Sequence, residues 1–365
     1  MDSIWDQANP HLRELAVYQP GKPIEETARE SGLRPDQIVK LASNENPLGP
    51  SPRALAAMRD AVAGANFYPD GGGFYLCAAL SEKLQIAPES FILGNGSNEI
   101  IEFIGHAFLG PTAEMVTSEN AFIAYRLVAS LFGAKTISVP DRDYRFDLEA
   151  IAQAITPRTR VVFIANPNNP TGTLVEQAAL DRFMERVPNE VVVVFDEAYH
   201  EYLADPPDTL QFVRAGCNVM VLRTFSKIHG LASVRLGYGI ARPDLIKVVQ
   251  KTREPFNTSG VAQAGAVAAL TDLTHQSESK RLTDEGRRYF ERELGALNLP
   301  FVPGVANFVL VKVGDGKALF QKLLRHGVIV RALSGYHLPE WVRISIGTME
   351  QNRKCIAAVR EVLAA

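Results

Sequence analysis

Cysteine is scarce in this chain, which has 365 residues and only three cysteines, Cys77, Cys217 and Cys355. Three is an odd number, and the three positions lie far apart in the sequence. This pattern does not fit a disulfide framework and is typical of proteins from a reducing compartment. We therefore predict a cytoplasmic protein whose fold depends on its hydrophobic core.

Long apolar runs and an excess of basic charge are also missing. No stretch of about 18 apolar residues occurs, so no membrane span is predicted. The first residues lack the basic and apolar regions of a signal peptide, so none is expected. The net charge is −3, which predicts no broad basic surface for nucleic acid. Residues 1–40 are too short and too acidic for a DNA-binding helix pair. The sequence therefore disfavours a DNA-binding regulator in which the rest of the chain serves as a ligand sensor.

The composition is that of a globular protein, with 46% hydrophobic and 22% charged residues. Continuous apolar runs at 161–165, 191–195 and 218–222 are separated by segments long enough for helices. Runs of this kind predict a mostly parallel sheet that is covered on both faces. The predicted fold class is therefore α/β, with a three-layer large domain.

The pattern changes after about residue 265. A charged helix over 277–296, a helix over 316–326 and short strands predict a smaller α+β domain. We expect an extended N-terminal arm over residues 1–40, a large domain over 41–265 and a small domain over 266–365.

Polar clusters follow three of the predicted strands, at residues 166–172, 196–199 and 224–227. The carboxyl ends of parallel strands lie at one edge of a sheet, where ligands bind in α/β folds. The sequence therefore predicts one binding site formed by all three clusters.

Lys227 follows a buried strand, where a lysine is costly unless it is paired, neutralised or covalently used. Its amine could form a Schiff base with a carbonyl compound, while Thr224, Ser226 and Arg235 hold phosphate oxygens. The alternative is a solvated lysine at a strand end, accompanied by a surface arginine.

Ser97 and Asn98 follow Gly96 at the predicted start of an amphipathic helix. Amide N–H groups at a helix N-terminus form a natural phosphate seat. Either side chain could instead cap its own helix, and the two interpretations are compatible.

Asp196 also follows a buried strand, and its carboxylate could hold a proton on a heterocyclic nitrogen. Tyr199 and Asn169 could donate hydrogen bonds to a ring oxygen. The alternatives are a helix cap for Asp196 and a core aromatic for Tyr199. A pyridinium nitrogen, a phenolic oxygen, a phosphate and an aldehyde all belong to pyridoxal 5′-phosphate, so this cofactor is predicted. No metal site is predicted.

The chain resembles the fold type I pyridoxal-phosphate aminotransferases along nearly its whole length. The motifs that carry this resemblance are residues 168–172, residues 196–199, and Ser226-Lys227 with Arg235. Within that group it is similar to the histidinol-phosphate aminotransferase subfamily, through residues 41–47, 68–71, 94–99 and 327–331.

The resemblance implies a role for each matching residue. Lys227 is the Schiff-base lysine and proton carrier, Asp196 pairs with the pyridine nitrogen, and Tyr199 and Asn169 contact the ring oxygen. Phe122 stacks on the ring, although from sequence alone it could equally be a core residue. The implied phosphate ligands are Ser97, Asn98, Thr224, Ser226, Arg235 and, from the neighbouring subunit of a homodimer, Tyr68. The implied substrate-binding residues are Tyr18, Asn44, Arg331 and Arg343.

The same resemblance implies transamination between L-glutamate and imidazole-acetol phosphate, giving L-histidinol phosphate and 2-oxoglutarate. The alternatives are an aromatic amino-acid aminotransferase and a decarboxylase of a phosphorylated amino acid. Six residues, Cys77, Ser233, His229, Thr258, Ser259 and His337, depart from the pattern of the subfamily. The last three lie where we expect substrate specificity to be set.

Overall fold

The structure is a computed structural model that describes residues 4–13, 15 and 21–364. Its α-helices are α1 Ile24–Ser31, α2 Pro52–Val62, α3 Phe74–Leu84, α4 Ser97–Phe108, α5 Ile123–Leu131, α6 Leu148–Ala154, α7 Gln177–Met184, α8 Leu210–Arg214, α9 Pro243–Gln250, α10 Gly260–Thr271, α11 Leu273–Ala296, α12 Gly316–Arg325 and α13 Met349–Ala364. Its β-strands are β1 Val39–Lys40, β2 Phe91–Gly94, β3 Glu114–Ser118, β4 Lys135–Val139, β5 Thr159–Ala165, β6 Val192–Asp196, β7 Val219–Thr224, β8 Gly237–Ala241, β9 Phe301–Val302, β10 Phe308–Lys312, β11 Val328–Ile329, β12 Arg331–Leu333 and β13 Leu338–Ser345.

A seven-stranded sheet forms the centre of the molecule, with the strand order β2-β8-β7-β6-β5-β3-β4. Strands β7, β6, β5, β3 and β4 pair in parallel, and β8 is antiparallel to both of its neighbours. Every residue of β6 and β7 is buried. Because successive side chains of a strand point to opposite faces, both faces of the sheet must be covered. The predicted α/β class with a mostly parallel sheet is confirmed.

A second sheet, with the order β12-β13-β10-β9, is antiparallel throughout. Helices α11 and α12 both contact this sheet, and α13 packs against both helices. Its apolar cluster includes Phe290, Leu323, Val342 and Ile356. The helices predicted over 277–296 and 316–326 correspond to α11 and α12.

The N-terminal segment differs from the predicted extended arm, because residues 24–31 form helix α1. Two acidic residues, Glu25 and Glu26, lie in its first turn, where they complement the helix dipole. Gly32 ends the helix with a φ of 71°, a conformation that glycine adopts without strain. The arm was thus predicted wrongly at α1, since its proline and charge content obscured a short helix.

Strand β1 pairs in parallel with β11, so residues 39–40 join the part of the chain that lies near residue 330. The predicted domain boundaries at 40/41 and 265/266 stay predictions. Across the described residues, no helix combines the length and the apolar content that crossing a membrane requires.

Candidate active site

The three predicted polar clusters meet at one edge of the central sheet. Strands β5, β6 and β7 are parallel neighbours, and Asp196 is paired with Ala165 on one side and Leu222 on the other. The loops that follow these strands therefore emerge side by side. They surround a cavity that is lined by Ser97, Asn98, Phe122, Tyr125, Ala165, Pro167, Asn169, Asp196, Ala198, Tyr199, Thr224, Ser226, Lys227 and Arg235.

Asp196 lies buried at the end of β6. Its Oδ2 accepts a hydrogen bond of 2.7 Å from the hydroxyl of Tyr125, and its Oδ1 accepts one of 3.2 Å from the backbone N–H of Ala198. Burial raises the pKa of Asp196, although both hydrogen bonds and the Lys227 cation act in the opposite direction. A carboxylate in this position is best stabilised by a cation or a protonated ring nitrogen inside the cavity.

Lys227 projects into the same cavity. Its Nζ donates to the backbone oxygen of Ser43 over 3.2 Å and lies 5.7 Å from the centre of the Tyr199 ring. Burial lowers the pKa of Lys227 to about 8, and the Arg343 and Arg235 cations act in the same direction. A lysine with a pKa of about 8 has a neutral fraction near physiological pH that an ordinary lysine lacks, and the neutral amine can act as a nucleophile or as a base.

Tyr199 is buried, and its ring packs edge-on against Phe308, with the ring centres 5.3 Å apart. Burial raises the pKa of Tyr199 to about 12, so the phenol keeps its proton at neutral pH. Its oxygen accepts a hydrogen bond of 2.9 Å from the side-chain amide of Asn44. Tyr199 can therefore donate its proton to an acceptor in the cavity.

One end of the cavity is built for an anion. Helix α4 begins at Ser97, and its first backbone N–H groups have no partners within the helix. Arg235 donates to Ser226 Oγ over 3.3 Å, and a Cβ on Gly96 would lie only 2.4 Å from its Nη2. Thr224 and Ser226 add hydroxyls. A helix N-terminus, an arginine and two hydroxyls together fit a phosphate group.

The two arginines of the predicted substrate set occupy different environments. Arg331 of β12 and Arg343 of β13 are paired across neighbouring strands. Arg343 is buried, and it donates to Asn169 Oδ1 and to the backbone oxygen of Ala42. Arg331 lines a separate groove with Gly21. Arg343 thus contacts Asn169, a residue of the cavity lining, whereas Arg331 lines the separate groove.

One of the predicted aromatic residues, Tyr68, does not line the cavity. Tyr68 is 82% exposed and stacks on Phe256, with the ring centres 4.7 Å apart. Tyr18 lies outside the described residues. Phe122 does line the cavity, and it contacts Tyr125 edge-on.

Tyr125 is the residue at this site that the sequence did not single out. It lies on α5, three residues after Phe122, and it is fully buried. A buried tyrosine usually has a partner for its hydroxyl, and that rule could have directed attention to a polar group beneath the helix. The sequence pattern alone indicates only a residue on the packed face of a helix.

Four of the departures from the subfamily pattern, His229, Thr258, Ser259 and His337, lie outside the cavity lining. His229 is buried and packs near Phe225. Thr258 accepts a hydrogen bond from Gln263, and Ser259 caps α10. His337 lines a second cavity, which also contains His11 and Arg126. Within the described part of this one chain, none of the four contributes to the central cavity.

Comparisons with known proteins give matches that extend over nearly the whole chain. Residues 36–359 match the family Aminotransferase class I and II. The histidinol-phosphate aminotransferase of Akkermansia muciniphila is 53% identical over 99% of this chain and 100% of its own length. The protein of the same name from Moorella thermoacetica is 47% identical over 97% and 94%.

A solved structure leads to the same family. The crystal structure of histidinol-phosphate aminotransferase from Sinorhizobium meliloti in complex with pyridoxal-5′-phosphate is 28% identical to this chain. It superposes with a TM-score of 0.90, and the match covers 98% of each chain. The chain belongs to the aminotransferase class I and II family and, within it, to the histidinol-phosphate aminotransferases.

Proposed function

We propose that this protein transfers an amino group between L-glutamate and imidazole-acetol phosphate, forming L-histidinol phosphate and 2-oxoglutarate in histidine biosynthesis. The observation that carries the proposal is one cavity that holds a lysine with a lowered pKa, a buried carboxylate and a phosphate seat. The relatives reported above, which match over at least 94% of each chain, support the choice of substrate. They do not favour the alternative of an aromatic amino-acid aminotransferase.

The residues that are present fit pyridoxal 5′-phosphate, which when bound supplies an electron sink for the transfer of the amino group. Lys227 would hold the aldehyde carbon through its amine. Ser97, Asn98, Thr224, Ser226 and Arg235 would hold the phosphate. Phe122 would cover one face of the ring.

The chain's own residues divide the remaining work. The buried Asp196 carboxylate favours a positive charge on a ring nitrogen, because opposite charges stabilise each other in a buried site. Tyr199 and Asn169 would orient the ring oxygen. Lys227 would carry the proton between carbon atoms of the substrate and the cofactor, a task suited to a pKa near working pH.

The lowered pKa of Lys227 predicts how the protein takes up its cofactor. Below about pH 8 the amine is protonated and cannot attack an aldehyde, and above that value it is neutral. After the cofactor is removed, the rate of its reincorporation should rise with pH around a midpoint near 8. An ordinary lysine would give a midpoint near 10.5, and Nα-acetyl-lysine in solution provides that reference. A protein midpoint equal to the reference would contradict the prediction.

A homodimer with shared active sites is part of the proposal. Several large aromatics are exposed, namely Phe67, Tyr68, Phe74, Tyr75 and Phe256, and the rings of Tyr68 and Phe256 and those of Phe74 and Tyr75 are in contact. Contiguous exposed apolar patches mark interaction surfaces, and interface cores are rich in aromatics. A second copy of the chain would cover these aromatics, and Tyr68 would reach the partner's phosphate seat.

Subunit mixing tests the shared site. We expect Tyr68→Ala and Lys227→Ala each to be impaired alone. A hybrid dimer would carry both defects in one site and none in the other, so an equal mixture should recover about a quarter of wild-type activity. Phe67→Ala is the matched control, since it also removes an exposed aromatic but is not predicted to touch the phosphate. No recovery from subunits that exchange would contradict the shared site.

A half-reaction tests the substrate. Glutamate first converts the bound cofactor to its amino form. Imidazole-acetol phosphate or phenylpyruvate is then added, and the return of visible absorbance is followed. We expect at least about a 100-fold preference for the phosphorylated acceptor, because a site that binds a phosphate and an imidazole rejects an analogue that lacks both groups. Equal or faster turnover of phenylpyruvate would move the function to aromatic substrates.

We also infer that the protein works in the cytoplasm. Cys77, Cys217 and Cys355 are all free thiols, and two of them are buried. Unpaired cysteines of this kind are typical of a reducing compartment.

A further inference from the structure

Asn44 links the catalytic tyrosine to the second sheet. It is buried, with 1% of its surface exposed, and it sits in a loop with a φ of 56°. Its backbone N–H donates to Ser345 Oγ over 2.8 Å, and its carbonyl accepts from the amide of Asn307 over 3.0 Å. Its side chain lies between Ser345 and Tyr199, with one contact of 2.9 Å to each.

The direction of these hydrogen bonds can be followed from one group to the next. The backbone N–H of Asn44 is a donor only, so Ser345 Oγ accepts from it. The single hydroxyl proton of Ser345 then goes to Asn44 Oδ1, and this contact turns the amide nitrogen toward Tyr199. Tyr199 must therefore accept at its oxygen, and its own proton is left for another partner.

We propose that Asn44 is a positioning residue that aims the hydroxyl proton of Tyr199 into the cavity, with Ser345 holding Asn44 in the required orientation. This inference rests on the proposed function, in which Tyr199 donates to the ring oxygen of the cofactor. The resemblance predicts Asn44 as a substrate contact. In the structure its side-chain oxygen and nitrogen both contact protein groups.

The backbone conformation at Asn44 sharpens this assignment. A φ of 56° is left-handed, and glycine adopts it at lower cost than asparagine does. Glycine would therefore satisfy the backbone, and what asparagine adds at this position is its amide. The same loop also places the Ser43 carbonyl against Lys227 Nζ, so a distortion of the loop would disturb both groups.

The test uses the visible absorbance of the bound cofactor as a function of pH, which reports donors to the ring oxygen independently of turnover. Asn44→Gly removes the amide without straining the backbone. We expect its titration midpoint to rise by about 0.5 to 1 pH unit, the equivalent of one hydrogen bond. Asn44→Asp is nearly isosteric but cannot donate, so Tyr199 would turn its proton away from the cavity. Its midpoint should rise at least as far as that of Tyr199→Phe.

Repeating both substitutions in a Tyr199→Phe background separates positioning from other effects. If Asn44 acts through Tyr199, Asn44→Gly should shift the midpoint in the wild-type background and leave it unchanged in the Phe background. Any shift of the titration midpoint that Asn44→Asp still causes in the Tyr199→Phe background measures the effect of its added negative charge. Equal shifts of Asn44→Gly in the two backgrounds, or no shift in either, would overturn the inference.

Ser345→Ala provides a second route that leaves Asn44 and its loop in place. Its midpoint should move in the same direction as that of Asn44→Gly and by a smaller amount, and an unchanged midpoint would count against the proposed chain of hydrogen bonds. Failure of the wild-type protein to bind the cofactor would refute the proposed function instead. A normal wild-type titration with unresponsive variants would refute only the role of Asn44.

Discussion

The Lys227→Ala variant is expected to lose about 10⁴-fold in kcat, the upper end of what a positioned acid–base group supplies. The expected loss is large because one amine would both hold the cofactor and carry the proton. The bound cofactor should also lose the visible absorbance that depends on its bond to this lysine. Single-turnover spectra with glutamate measure both effects in one experiment.

Lys227→Arg is the matched control, since it keeps the positive charge and most of the length of the side chain. A guanidinium stays protonated at every working pH and cannot exchange the proton. We therefore expect Lys227→Arg to be as inactive as Lys227→Ala. Turnover within about tenfold of wild type in either variant would contradict the role assigned to Lys227.

The Asp196→Asn variant should fold normally and lose about 10²- to 10³-fold in kcat, as enzymes do when one preorganised charge contact is removed. Asparagine preserves the shape of the side chain and can still accept from Tyr125. It cannot hold a positive charge on the ring, so the cofactor would bind but withdraw electrons poorly. Steady-state kinetics together with a cofactor-binding titration distinguish these two effects.

Glu197→Gln is the control for Asp196, because it neutralises the very next carboxylate. Glu197 is buried, and it pairs with Arg223 over 2.9 Å. Burial alone would raise the pKa of Glu197, but the Arg223 guanidinium helps to hold that pKa at about 2. Leaving Arg223 unpaired should cost about 3–5 kcal/mol of stability, with little change in the kcat of the folded fraction. A kcat loss equal to that of Asp196→Asn would contradict the division of roles between the two residues.

The arrangement of the site at the strand ends could be predicted from the sequence. The apolar runs that became β5, β6 and β7 each stop at polar residues, and parallel pairing brings those ends together. Ser51 followed by Pro52 is likewise a general pattern for a helix start, and α2 begins there, where Ser51 Oγ accepts from Ala54 N over 3.0 Å. In both cases the signal is local and the geometry follows from a general rule.

What could not be predicted depends on contacts between distant parts of the chain. The bond of Tyr125 to Asp196 spans 71 residues, and the bonds of Asn44 to Ser345 span 301. No periodicity encodes such pairs. The exposure of Tyr68 also depends on a distant group, because we propose that a second copy of the chain covers this residue.

The pairing of β1 with β11 has a consequence for how the protein is made. Residues 39–40 find their strand partner only at residues 328–329, so this two-stranded sheet must wait until nine-tenths of the chain has left the ribosome. The central sheet, which ends at Ala241, has all its strands long before that. The loop that carries Ser43 and Asn44 follows β1 directly, so a nascent or prematurely terminated chain would display the cavity without the groups that complete it.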